Sequence, residues 1–154
     1  MTEEELNTQV MDALIELVKT MGSLGQSVGA NYGFNGSEAM ALYKIDEPVS
    51  MKELSQRLGC DASFVTVIAD SLERLGTARR EPSQRDRRVK NIVLTEHGRE
   101  VKDQIMREVT ARLPWGKALD TSERECFLGL LRKMLDHAKG GGAVTSAPAS
   151  SSQG

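Results

Sequence analysis

Two short apolar periodicities broken by Gly59-Cys60-Asp61, followed by an abrupt change of period after Gly76, constrain what this chain can fold into more than any other feature. Ser50 and Glu53 have the spacing of a capping box in front of Leu54 and Leu58, which predicts a helix from about Ser50. Phe64, Val65, Ile68, Leu72 and Leu75 resume the helical period until Gly76 supplies a stop. Two short helices joined by a tight glycine-containing turn form a helix-turn-helix arrangement, the second helix being the candidate recognition helix. Beyond Gly76 the period shortens. Thr77 to Arg80 reads as a strand, Glu81 to Asp86 as a loop and Val89 to Leu94 as a return strand, which together make a hairpin.

The flanks are helical. Leu6, Val10, Leu14, Leu17, Met21, Leu24 and Val28 recur at steps of three and four, the apolar stripe of an amphipathic helix that ends between Gly29 and Gly36. Asn35-Gly36-Ser37 is turn chemistry, with Ser37 as the expected N-cap of a short second helix stopped before Pro48. Thr95 is placed to cap a helix carried by Val101, Ile105 and Val109 towards Leu113-Pro114. A last helix from about Thr121 presents Phe127, Leu130, Leu131, Met134 and Leu135. These stripes are expected to be core. From Gly140 onward the sequence has almost nothing to bury, so a disordered tail is expected.

Length and composition suit one hydrophobic core, and 4% aromatic content requires that core to be built from aliphatic side chains and methionine. No stretch approaches the roughly 20 apolar residues of a membrane span, and the acidic start is unlike a secretory signal or transit peptide, so the expected location is cytoplasmic. Cys60 and Cys126 lack metal-ligand spacing and read as reduced structural thiols; His97 and His137 are isolated, and no metal site or cofactor is expected. No nucleophile and base pair, paired carboxylates or phosphate-cradling glycine loop is visible, so an enzyme is not expected.

A formal charge of −2 looks wrong for a polyanion partner until it is divided along the chain. Residues 1–36 carry one Lys against five acids, and 37–76 carry four bases against seven acids. Residues 77–94 reverse this with six bases, Arg79, Arg80, Arg85, Arg87, Arg88 and Lys90, against Glu81 and Asp86. A hairpin projects its tip beyond the body, and a guanidinium there can enter a narrow minor groove where negative potential is focused. Arg88 is the residue expected in that role. Asp86 is expected to aim an arginine through a bidentate pair, and Arg79, Arg80, Arg85, Arg87 and Lys90 are candidate phosphate contacts. On the helices, the Ser63 and Thr66 hydroxyls can reach phosphates or base edges, and Gln56 and Arg57 the backbone.

At Asp86-Arg87-Arg88-Val89-Lys90-Asn91-Ile92-Val93-Leu94-Thr95 the sequence resembles the MarR family of regulators, whose wing motif places Asp, Arg and Leu-Thr where Asp86, Arg88, Leu94 and Thr95 stand. The resemblance covers about residues 6–138 and extends to Ser63, Thr66, Asp70, Leu72 and Gly76. It departs from the family at Val67, where many relatives carry an arginine just after the threonine; Val67 can touch a thymine methyl or simply pack. The resemblance implies a transcriptional regulator, a repressor, acting as a homodimer on a palindromic operator in double-stranded DNA, with half-sites about 10 base pairs apart. It implies pairing through the first and last two helices, and a crevice for a small aromatic ligand. Tyr32, Tyr43, Met40 and Trp115 can line such a pocket or equally be ordinary core.

The expected fold is mainly α with a small β-hairpin wing. It comprises an N-terminal dimerisation helix (1–36), a winged helix-turn-helix region (37–95), C-terminal dimerisation helices (96–139) and a tail (140–154). Two rival readings are weighed beside it. A thiol-based redox sensor rests on Cys60 next to the recognition helix, but peroxide-sensing relatives carry their cysteine in the first helix, and this chain has none before residue 60. A winged-helix protein-interaction module would not need six basic residues in one hairpin.

Overall fold

The computed structural model describes residues 1–141, in two compact units, Met1–Leu113 and the segment from Pro114. Most of the expected tail lies outside the described residues, although Gly140 and Gly141 still belong to the last helix.

Local start and stop signals account for the element boundaries in the first unit. Helix α1 (Glu3–Asn31) begins at a capping box in which Thr2 and Glu5 satisfy each other's backbone N–H groups. Helix α2 (Gly36–Lys44) is capped by Asn35, not by Ser37. The Asn35 side chain accepts the Glu38 N–H at 2.9 Å while the Glu38 carboxylate accepts the Asn35 N–H at 2.9 Å, so the cap sits two residues earlier than expected and is a full capping box. Strand β1 (Val49–Ser50) leads straight into α3 (Met51–Leu58), and Ser50 serves as both strand end and N-cap, with Glu53 completing the box. Gly59 ends α3 at φ +65°, where a side chain would be strained. Asp61 caps α4 (Ala62–Arg74), and Gly76 at φ +70° turns the chain into β2 (Ala78–Pro82).

Strands β2 and β3 (Lys90–Leu94) form the hairpin, with Glu81 and Pro82 belonging to the strand instead of the loop. The hairpin is also one strand short of the sheet, whose order is β1-β3-β2, all antiparallel, with Val49 opposite Ile92. Thr95 then does two jobs: its hydroxyl donates to the Gly76 carbonyl at 2.6 Å and accepts the Gly98 N–H at 3.0 Å, opening α5 (Glu96–Arg112). Leu42, Ile45, Val49, Leu54, Val65, Leu72 and Ile92 are the largest apolar side chains closing the core, joined by Val28 from the end of α1.

The expectation that every stripe is core fails within a single chain. Only Val28 and Gly29 of α1 are buried, and Leu6, Val10, Met11, Ile15 and Val18 stand exposed. Within α4 the buried face is Val65, Ile68, Ala69 and Leu72, while Phe64 is exposed. The second unit holds α6 (Pro114–Ala118), where proline opens a helix it was expected only to end, and α7 (Thr121–Gly141). Trp115 packs against Phe127 with ring centroids 6.3 Å apart, and Leu128, Leu130, Met134 and Leu135 are exposed. No helix among the described residues is long and apolar enough to cross a membrane.

Candidate nucleic-acid interface

The tip of the hairpin is a closed loop. The Ser83 N–H donates to the Val89 carbonyl at 2.8 Å, and the Val89 N–H donates to the Asp86 carbonyl at 2.9 Å. The Asp86 carboxylate accepts the backbone N–H of Arg88 at 3.0 Å. Asp86 therefore orders the turn through the backbone, and the expected bidentate pair with an arginine side chain is not formed: an Asx-type turn satisfies the carboxylate at shorter reach. Arg85, Arg87, Arg88 and Lys90 are exposed, and among the described residues no acid pairs with any of them.

The two arginines at the base of the hairpin behave differently. Arg79 is exposed and lies 3.4 Å from the Glu81 carboxylate. Arg80 is partly buried, donating to Asp70 at 2.6 Å and to Glu73, whose other oxygen accepts the Arg80 N–H at 2.9 Å. Burial works against its charge, but the hydrogen bonds and Coulomb attraction of Asp70 and Glu73 outweigh that and raise its pKa above the usual value. Its expected part as a phosphate contact does not fit this geometry: the guanidinium is committed to pinning β2 to α4. Asp70 and Glu73 were the partners sequence reasoning missed, although their spacing of three puts them on one face of α4. Arg80→Met is expected to cost about 1 kcal/mol of stability, the scale of a partly exposed ion pair, as a lower urea midpoint.

On the helices, Gln56 and Arg57 are exposed, with one Arg57 nitrogen donating to the Lys44 carbonyl at 3.0 Å. The Ser63 hydroxyl donates to the Asp61 carboxylate at 2.6 Å, and the Thr66 hydroxyl donates back to the Ala62 carbonyl at 3.0 Å. The Ser63 hydroxyl and the Phe64 N–H together hold the Asp61 carboxyl below its ordinary pKa, the Ser63 bond first. Val67 is 64% exposed, so it does not pack.

Of the four residues offered as pocket lining, the three in the first unit, Tyr32, Met40 and Tyr43, do not line one cavity. The Tyr32 hydroxyl donates to Glu108, and that bond, with some burial, raises the phenol pKa. Tyr43 is exposed beneath the Lys44 ammonium, 5.3 Å from its ring centroid. Met40 lines a cleft of about 180 Å³ with Leu58, Cys60, Phe64 and Ile68, to which neither tyrosine contributes. Trp115 belongs to the second unit.

The MarR family model matches residues 32–89, from the end of α1 to the tip of the hairpin. The chain is 34% identical over 127 residues to the transcriptional regulator PapX of Escherichia coli, covering 77% of this chain and 75% of PapX. It is also 34% identical over 116 residues to the transcriptional repressor MprA of Escherichia coli strain K12, covering 67% of this chain and 61% of MprA. The fold is that of a MarR family protein from Bacillus stearothermophilus, with a TM-score of 0.79 at 20% identity, over 90% of this chain and 99% of that one. A helix-turn-helix pinned to a basic wing, a family match across that region and a relative shared over three-quarters of both lengths lead to one conclusion: the chain belongs to the MarR family of winged helix-turn-helix transcriptional regulators.

Proposed function

We propose that the chain is a repressor that binds a palindromic operator in double-stranded DNA as a homodimer. The observation that carries this reading is the hairpin tip, where Arg85, Arg87, Arg88 and Lys90 stand exposed without acid partners on a loop braced by Asp86. Such a tip suits minor-groove entry by one guanidinium and phosphate contact by the others. The Arg80 pin supports it further, because a wing fixed to α4 lets one rigid body approach two grooves.

Dimerisation is supported by the apolar side chains left open on α1 and α7, more than a soluble monomer ordinarily exposes in one stretch. Repression is supported by the likeness to MprA. The same reading assigns release to a small aromatic ligand, and Met40, one of the residues expected to line its site, does border an open cleft of the first unit.

The test is a shift assay on the DNA upstream of the chain's own gene, with the oligomeric state followed by sedimentation. Arg88→Ala is expected to weaken specific binding by about 1–3 kcal/mol while the dimer persists. Equal affinity in the variant overturns the minor-groove assignment.

A further inference from the structure

We infer that Val67 reads the C5 methyl of thymine in the major groove, so that the bases selected by α4 are thymines and not guanines. This rests on the DNA-binding reading above and gives it a chemistry.

The argument is one of elimination along the helix. The α4 side that faces the core is Val65, Ile68, Ala69 and Leu72. The outward positions spaced by three and four are Ser63, Thr66, Val67 and Asp70, all exposed. Guanine is read by paired donors aimed at its O6 and N7, ordinarily from arginine or lysine. None of these four supplies them. The Ser63 proton is given to Asp61 and the Thr66 proton to the Ala62 carbonyl. Asp70 carries no donor when ionised and is held by Arg80. The one cation of α4, Arg74, lies in its last turn, where a guanidinium nitrogen donates to Ser71 at 2.9 Å.

What the outward face does offer is Val67, 64% exposed and with no packing duty in the chain. A β-branched side chain in a helix is held almost in one rotamer, so it loses little freedom when a partner closes over it. The group in the major groove that gains from an apolar contact is the thymine methyl, absent from the other bases.

The experiment uses the full chain. Double-stranded sites are selected from a random pool, and each thymine of the enriched site is then replaced by deoxyuridine, which removes the methyl and leaves every hydrogen-bonding group and the minor groove in place. At one thymine or more per half-site, the replacement is expected to weaken binding about fourfold, the value of one buried methyl group, and roughly fifteenfold when both half-sites are changed. Val67→Ala should erase that difference, Val67→Ile should keep it, and Arg88→Ala should lower affinity yet leave the uracil penalty intact. Indifference to uracil at every position, a penalty that survives Val67→Ala, or selection of guanine where α4 lies overturns the inference while the DNA-binding reading stands. A pool that yields no enriched sequence overturns both.

Discussion

An alanine at Gly98 is expected to destabilise the first unit by about 3 kcal/mol, the upper range for overpacking, because the atom it adds has nowhere to go. A Cβ built on Gly98 falls 1.9 Å from the Thr77 carbonyl oxygen and 2.8 Å from its carbonyl carbon, and neither can swing aside as a side chain does. Thr77 is itself fully buried and tied on both sides: its hydroxyl donates to the Leu72 carbonyl at 3.0 Å, and its carbonyl accepts the Thr95 N–H at 3.1 Å. Any shift that relieves Gly98→Ala therefore disturbs the end of α4, the start of β2 and the cap of α5 together. Urea unfolding should show a lower midpoint with an unchanged slope. Gly36→Ala, in the same unit and with only the Gln26 side chain at 3.8 Å from the added Cβ, serves as the control and should be neutral or slightly stabilising through helix propensity. Equal midpoints for Gly98→Ala and the wild type would overturn the close approach of α5 to the Thr77 backbone.

Removing Arg85, Arg87 and Lys90 together is expected to change how binding responds to salt more than any other substitution. If each contacts one phosphate, a dimer loses six contacts, and the slope of log affinity against log salt falls by about five. The wild type would then lose about a thousandfold in affinity between roughly 50 and roughly 200 mM salt through those contacts, and the triple variant would not. Arg80→Met supplies the contrast. Its guanidinium is already engaged by Asp70 and Glu73, so the salt slope should stay near that of the wild type. Anisotropy titrations over a salt series measure both, and a triple variant with the wild-type slope would remove the hairpin from the phosphate backbone.

What could be read from the sequence was what acts over a few residues. Ser50 with Glu53, Gly59, Gly76 and Thr95 each fix a boundary through a partner at most four positions away or through their own φ, so the helix-turn-helix and the return of the hairpin were legible. The cap of α2 was misplaced because Asn35 and Ser37 are both good cap residues, and only the reciprocal bond to Glu38 separates them. Strand β1 was missed for the opposite reason: two residues carry no period, and their partners, Ile92 and Asn91, are remote in sequence. The basic residues show the same division. Six positive charges in one segment were plain, but which of them is spent within the fold depended on Asp70 and Glu73, from another element. Asp86 was recognised as an organiser, yet a carboxylate two residues from an arginine does not reveal whether it takes the side chain or the backbone N–H.

The pairing of Val49 with Ile92 also sets the earliest point in synthesis at which the sheet can close. As synthesis proceeds from the N-terminus, the caps of α2, α3 and α4 are all in place before β3, but Val49 has no strand to sit beside until β3 has emerged. The final strand to appear is the central one of the sheet, so neither β1 nor β2 has its hydrogen-bonding neighbour until then. A nascent chain cut before Lys90 would hold both helices of the reading head and still lack the clasp that closes it.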